Sequence, residues 1–148
     1  MAYRLTVIQG SGLVAKDRNI FGKKKSSDPY VEVWMNGRKI GTTETIKKTL
    51  DPVWRTGNHY DDIEAGKLEL KIFDEDKLSA PDAMGTVTLD LGPKYYFPQP
   101  NTSWYDVPPD SAKHATGKLQ LMLHSPKFTT IRGVRQLNPV YKAWKAAQ

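Results

Sequence analysis

The sequence predicts an all-β fold, an eight-stranded antiparallel β-sandwich followed by a short C-terminal helix at about 139–147. In each of two stretches, 67–73 and 118–124, leucine or isoleucine occupies every second position. This period of two is typical of strands that bury one face. Turn dipeptides such as Asn36-Gly37 and Asp51-Pro52 separate these and other short stretches. The length of 148 residues suits one core of this kind.

The remaining strand assignments follow from β-branched and aromatic content between the turn signals. The predicted strands are 4–9, 30–34, 42–46, 67–73, 85–91, 103–107 and 118–124. Their alternation predicts which side chains form the core. The residues expected to be buried are Leu5, Val7, Val31, Val33, Leu68, Leu70, Ile72, Leu119, Leu121 and Leu123.

The chain divides into a sandwich at 1–126 and a C-terminal extension or short helix at 127–148. In the extension, Asn138 fits an N-cap and Pro139 the first helical position. Val140, Tyr141 and Trp144 would then share one helix face. Two interpretations stay open. In the first, the segment has no contact role and is either a helix packed on the sandwich or a frayed tail; in the second, it is an amphipathic contact with a membrane or partner.

Composition narrows the function. Lysine and arginine exceed aspartate and glutamate by 22 − 16 = 6, a balance that suits anionic lipid, an acidic protein or nucleic acid, or serves general solubility. The absence of cysteine excludes disulfides and thiolate metal sites. No apolar run reaches the roughly 18–20 residues that span a bilayer, and the N-terminus lacks the apolar core of a signal peptide. We therefore expect a cytoplasmic protein.

Acidic residues cluster around two loops. Asp74, Asp76 and Asp82 close one predicted strand and line the loop after it, while Asp17 and Asp28 flank another loop. Crowded carboxylates repel each other, and a hard cation such as calcium, which takes about 6–8 oxygen ligands, offsets that repulsion. For Asp74 and Asp76 alone, the competing explanation is that they are solvated residues at the end of a loop.

Other chemistries fit less well. An EF-hand loop beginning at Asp74 would need Asp or Asn at 78, Gly at 79 and Glu at 85, and the chain has Leu78, Ser79 and Gly85. The three histidines are too widely spaced to support a zinc or copper site. The chain shows no nucleophile–base pair and no phosphate-cradling glycine loop, so we do not expect an enzyme.

Three segments of the chain form a series of motifs. They are Ser-Asp-Pro-Tyr-Val at 27–31, Thr-Ile-Lys-Lys-Thr-Leu-Asp-Pro-Val-Trp at 45–54, and Phe-Asp-Glu-Asp at 73–76 followed by Asp82. In this order they resemble the C2 domain family, a calcium-dependent phospholipid-binding module. The likeness covers about residues 3–125. The segment at 117–121 resembles the strand that opens the synaptotagmin-like arrangement. Its late position implies the permuted, type II strand order of phospholipase-type and Nedd4-ligase-type members.

The resemblance implies a set of calcium ligands. These are the carboxylates of Asp17, Asp28, Asp74, Asp76 and Asp82, with the backbone carbonyls of Lys16 and Glu75. The first loop is longer than usual, with residues 19–26 inserted. The lysine cluster that some members use for phosphoinositides is replaced by Glu32, Trp34, Thr42 and Glu44.

The expected function is calcium-dependent targeting to anionic membranes, with phosphatidylserine as a typical lipid and no nucleic-acid partner. The domain would be cytoplasmic and would join the membrane peripherally when calcium binds. The residues expected to touch the membrane are Ile20, Phe21, Lys23, Lys24, Lys25, Lys77 and Leu78. Local packing of Phe21 and a merely solvated lysine run are alternatives to that contact. The rival function is a calcium-independent protein–protein interaction adaptor that uses Trp34, the basic tail and the edge strands.

Overall fold

A computed structural model describes residues 2–18, 24–76, 78–92 and 95–148, with the backbone alone at 17, 18, 24 and 25. The strands are β1 (Tyr3–Ser11), β2 (Asp17–Arg18), β3 (Lys24–Ser26), β4 (Pro29–Met35), β5 (Arg38–Thr42), β6 (His59–Ile63), β7 (Gly66–Asp74), β8 (Asp82–Leu91), β9 (Asn101–Asp106), β10 (Lys118–His124), β11 (Phe128–Ile131) and β12 (Val134–Leu137). One helix, α1 (Pro139–Ala146), follows them.

Eight of these strands form two four-stranded antiparallel sheets, in the orders β6-β1-β10-β9 and β5-β4-β7-β8. This arrangement confirms the predicted sandwich. All ten residues that the alternation assigns to the core are buried, and they pack between the sheets with Tyr3, Ile63 and Met84. Burial of one face per strand is the main force that holds the two sheets together.

The position of β10 decides the strand order. Although it follows β9 in the chain, β10 lies beside β1, with Arg4 opposite His124 and Ser11 opposite Lys118. A bulge between Val7 and Gln9 interrupts this pairing. The neighbour of β1 is therefore a strand that comes late in the chain, which confirms the predicted permuted strand order.

One strand assignment is wrong. The sequence predicts a strand at 42–46, whereas β5 ends at Thr42. The turn at Asn36 and Gly37, with φ of 50° and 80°, starts the returning strand at once, as two-residue hairpin turns do. The chain leaves the ladder at Thr43, whose Oγ1 accepts the Val31 N–H at 2.8 Å in place of a main-chain carbonyl.

The alternation analysis misses β6, the short pair of β2 and β3, and the hairpin of β11 and β12. The edge strand β6 is mostly exposed, so it carries little apolar pattern. The hairpin of β11 and β12 lies outside both sheets and buries none of its residues, although several are partly covered.

The C-terminal helix is confirmed and is held on the sandwich. Asn138 caps it, because its side chain accepts the Val140 N–H at 3.0 Å. The same side chain donates to the carbonyls of Ala2 and Pro126, at 2.9 and 2.7 Å. Val140 is buried against the core. The helix is thus packed rather than frayed. No helix within the described residues is long and apolar enough to cross a membrane.

Candidate functional site: an acidic loop end

Three of the predicted aspartates meet at one end of the second sheet. Asp28 directly precedes β4, Asp74 ends β7, and Asp82 begins β8. The Asp28 N–H donates to Asp74 Oδ1 at 2.7 Å, and Asp74 lies opposite Asp82 in the β7–β8 pairing. The antiparallel ladder therefore brings together residues that are up to 54 positions apart in the chain.

Backbone donors hold two of these carboxylates in place. Asp28 Oδ1 accepts the N–H of Lys48 at 2.7 Å, and Lys48 adopts the left-handed conformation with φ of 53°. The Glu75 N–H donates to the Asp28 carbonyl at 3.0 Å, which fixes the start of the next loop against β4. Asp74 itself is buried. A buried carboxylate needs hydrogen-bond donors or a cation, because its desolvation is costly.

Asp76 organises the loop between β7 and β8. Its Oδ1 accepts the Leu78 N–H at 2.9 Å, and its Oδ2 accepts the Ser79 hydroxyl at 2.6 Å. The Ser79 hydroxyl first, then the Leu78 N–H, lower the pKa of this carboxyl below its usual value, so it is ionised at neutral pH. The turn presents Leu78 to solvent with 98% of its surface exposed.

Ser27 connects the first loop to this end of the sandwich. Its hydroxyl donates to the Val14 carbonyl at 2.9 Å and accepts the Lys16 N–H at 2.8 Å, and the residue is fully buried. The motif at 27–31 contains Ser27, but sequence reasoning gave it no role. Its polarity next to an aspartate was the available signal.

The segment at 49–54 also supports the first loop. Asp51 Oδ1 accepts the Gly12 N–H at 2.9 Å, and the carbonyl of Leu50 accepts the Leu13 N–H at 3.0 Å. The indole N–H of Trp54, a buried residue, donates to the Glu44 carbonyl at 2.9 Å. These residues stabilise the first loop from its flank, so the contribution of the segment at 49–54 to the site is structural.

The described carboxylates do not by themselves form a metal group. Among the side chains that the structure describes, which exclude that of Asp17, no three acidic or imidazole groups are close enough to hold an ion. Asp28, Asp74 and Asp76 each direct an oxygen to an N–H or hydroxyl of the protein. The side-chain atoms of these aspartates that could bind a metal are all oxygens, and oxygen ligands suit calcium rather than zinc.

Several predicted site residues lie wholly or partly outside the description. Asp17 pairs with Ser26 through β2 and β3, but its side chain is not described. The backbone of Lys16 is fixed by its N–H bonds to the Ser26 carbonyl and the Ser27 hydroxyl. Of the proposed membrane contacts, Leu78 is described in full and Lys24 and Lys25 by backbone only. Those outside the described residues are Ile20, Phe21, Lys23 and Lys77.

The outer face of β4 and β7 carries a mixed charge network. The Lys71 ammonium lies 4.0 Å from the ring centre of Trp34, and the Trp34 indole donates to Glu32 at 3.0 Å. Lys39 also approaches Glu32, at 3.6 Å. Each of these lysines has a partner on this face. Trp34, which the adaptor interpretation expects to be exposed for a partner, is half-buried.

A family model for the C2 domain matches residues 2–107. The chain belongs to the C2 domain family. A C2-DOMAIN ABA-RELATED 11 protein of Arabidopsis thaliana is 40% identical over 91 residues, 61% of this chain and 51% of that protein. Tricalbin-3 of Saccharomyces cerevisiae is 32% identical over 89 residues, 59% of this chain and 5% of that protein. The chain thus spans about half of the first relative and a small part of the second.

Solved structures show the same fold. Calcium-bound C2A and C2B domains of extended synaptotagmin 2 match with a TM-score of 0.65 and 25% identity, over 88% of this chain and 46% of that one. The C2A domain of a plant extended synaptotagmin 1 matches with a TM-score of 0.67 and 24% identity, over 86% of this chain and 95% of that one. The match to a whole C2A domain agrees with the sandwich described above.

Proposed function

We propose that this domain binds calcium at the acidic loop end and thereby docks onto anionic phospholipid membranes. The observation that carries the proposal is the meeting of Asp28, Asp74 and Asp82 at one sheet end, where the backbone N–H of Asp28 donates to Asp74 Oδ1 at 2.7 Å. The family resemblance assigns the carboxylates of these three and of Asp17 and Asp76, with the carbonyls of Lys16 and Glu75, to the calcium set.

The electrostatics of the loop end support cation binding. Asp76 is ionised at neutral pH, as an aspartate with an ordinary pKa would be, and its hydrogen bonds to Ser79 and Leu78 lower that pKa further, so no proton has to leave it when a cation binds. Several carboxylates at one edge create a negative potential that a divalent ion would relieve. The loop bonds of Asp28 and Asp76 use part of their lone pairs, and each carboxylate has roughly four acceptor positions, so coordination can coexist with these bonds.

The membrane step follows from charge inversion. Without calcium, the acidic loop end repels anionic lipid, and each bound ion would add two positive charges beside it. The exposure of the Leu78 side chain supports a role in which its apolar surface inserts between headgroups. The calcium-bound state of the similar extended synaptotagmin 2 structure is consistent with this mechanism.

The second candidate is a calcium-independent protein–protein interaction adaptor. It is favoured by the lack of a three-carboxylate metal group among the described side chains. Under this alternative, the loop hydrogen bonds of Asp28 and Asp76 would be their whole role.

Calorimetric titration with calcium separates the candidates. The variant Asp74→Asn with Asp76→Asn keeps the amide oxygens as hydrogen-bond acceptors but removes two charges, so the fold should persist while calcium heats disappear. The control Asp62→Asn with Asp90→Asn makes the same charge change at exposed positions towards the opposite end of the sandwich and should bind calcium like the parent. Equal heats in both double variants would contradict the calcium site.

Vesicle co-sedimentation tests the membrane step. Calcium should raise the fraction of domain bound to phosphatidylserine vesicles, and a chelator should reverse this. Higher salt should weaken capture, because the Debye length falls from about 10 Å at 0.1 M to about 3 Å at 1 M. Identical binding with and without calcium would favour a calcium-independent role.

A further inference from the structure

The C-terminal extension is a strongly basic element with no role in the calcium site. Its residues 127–148 include five cationic side chains and no acidic one. The cations are Lys127, Arg132, Arg135, Lys142 and Lys145. A structured segment of this length with one sign of charge is unusual in a domain whose surface otherwise mixes both signs.

The extension is anchored at the end of the sandwich opposite the acidic loops. Asn138, fully buried, bonds to the Ala2 and Pro126 carbonyls at the start of β1 and just after β10. The acidic loops follow the other end of β1, at Ser11. Arg4 and Ser11 are seven residues apart along that strand, a separation of roughly 23 Å at about 3.3 Å per residue.

The hairpin of this extension exposes apolar side chains beside its arginines. Its turn is formed by Arg132 and Gly133, with φ of 52° and 77°. Val134, next to the turn, is 60% exposed, and Phe128 at the base is 40% exposed. The Arg135 guanidinium lies 4.0 Å from the Phe128 ring centre. Val134 therefore presents most of its apolar surface to solvent between two arginines, Arg132 and Arg135.

The helix continues the pattern with aromatic rings and lysines. Trp144 lies 4.8 Å and Tyr141 5.5 Å, between ring centres, from Tyr96. The Lys127 ammonium lies 5.1 Å from the Tyr141 ring centre. Half-buried tyrosine and tryptophan beside exposed lysines is the combination that sits well at the boundary between lipid and water.

The charge of the extension is not balanced locally. Ion pairs seen among the described residues join Arg4 to Asp61, Lys39 to Glu32 and Lys67 to Glu69, and none of them includes a cation of the extension. Asp61 and the hairpin residue Arg135 line the same cleft of about 280 Å³. The Asp61 carboxylate pairs with Arg4, at 3.8 Å.

We propose that residues 127–148 form a second, calcium-independent surface for an anionic phospholipid bilayer, so that the calcium-loaded domain joins two bilayers. The second half of this proposal rests on the proposed function of the acidic loops. A bilayer is favoured over an acidic protein because the exposed Val134 lies beside the hairpin turn between two arginines, and because the helix of the same extension combines half-buried tyrosine and tryptophan with exposed lysines. The separation of the two surfaces places them on different membranes.

Light scattering by phosphatidylcholine–phosphatidylserine vesicles tests this directly. With calcium, the parent domain should cluster vesicles. The variant Arg132→Ala with Arg135→Ala should still be captured through its loops but should cluster poorly. Each cation near an anionic surface is worth about 1 kcal/mol, so the pair should weaken extension binding by about 25-fold. The control Arg55→Ala with Lys71→Ala removes the same charge elsewhere and should cluster like the parent.

A second measurement separates this proposal from the first. At low ionic strength with a chelator, the parent should retain vesicle binding that the extension variant and a Val134→Ser variant lose. Failure of calcium to raise capture while this binding persists would reject the calcium mechanism and keep the basic surface. Calcium-dependent capture without clustering, or equal clustering by the extension variant, would overturn the second bilayer site and point to an acidic protein partner.

Discussion

We expect the hydroxyl of Ser27 to contribute to the free energy of unfolding and to fix the conformation of the first loop. Ser27→Ala removes two hydrogen bonds, from the hydroxyl to the Val14 carbonyl and from the Lys16 N–H to the hydroxyl. At about 1 kcal/mol net for each, the free energy of unfolding should fall by about 2 kcal/mol. The Lys16 N–H keeps the Ser26 carbonyl at 3.0 Å, which prevents a larger loss.

Urea unfolding monitored by tryptophan fluorescence measures this loss. Ser103→Ala, the same substitution at a half-exposed position, is the matched control and should change the free energy of unfolding by less than about 0.5 kcal/mol. Calcium affinity of the Ser27 variant should also fall, since the loop that precedes Asp28 loses its fixed geometry. Equal unfolding free energies for the parent and Ser27→Ala would refute the idea that this hydroxyl holds the loop.

Two further changes test the other end of the sandwich. Asn138→Ala should lower the free energy of unfolding by about 3 kcal/mol, from one helix cap and two hydrogen bonds at about 1 kcal/mol each. Asn138→Asp keeps the cap but turns a buried carboxylate oxygen towards the two carbonyls that the amide served, so it should lose at least as much. A clearly smaller loss for Asn138→Asp than for Asn138→Ala in urea would contradict this. Burial raises the pKa of Tyr3 to about 12. Tyr3 ionises near pH 10 in the unfolded chain. Its contribution to the free energy of unfolding should therefore be complete below pH 10 and should be lost as the pH rises towards 12. The fall should be shallower in Tyr3→Phe, and parallel pH curves for the two proteins would exclude a contribution from Tyr3.

The parts of the fold that the sequence predicts are those with a local burial pattern. Residues at 67–73 and 118–124 alternate because each strand lies in the interior of a sheet and buries one face. The edge strand His59–Ile63 has one buried residue, Ile63, so alternation cannot detect it. The strand error at 42–46 reflects threonine content taken as ladder pairing. The Thr43 N–H still donates to the Val31 carbonyl, but its Oγ1 rather than its carbonyl accepts the Val31 N–H, and the regular ladder ends there.

The site was predictable in position but not in geometry. The resemblance put Asp28, Asp74 and Asp82 in one place because strand order is a property of the fold. It could not show that Asp76 turns towards Ser79, since such contacts depend on loop conformation rather than on residue type. The supporting role of Ser27 was hidden for the same reason, because its partners lie 11 and 13 positions earlier in the chain.

The central pairing of β1 with β10 sets the order in which this protein can fold. Arg4 and His124, opposite each other in that pairing, are 120 positions apart in the chain. During synthesis, β1 must therefore wait for nearly the whole sandwich to emerge before it gains its main neighbour. Its apolar residues and backbone groups stay available to other chains during that delay. We expect slow folding dominated by long-range closure, and a need for chaperone protection of the nascent N-terminal strand.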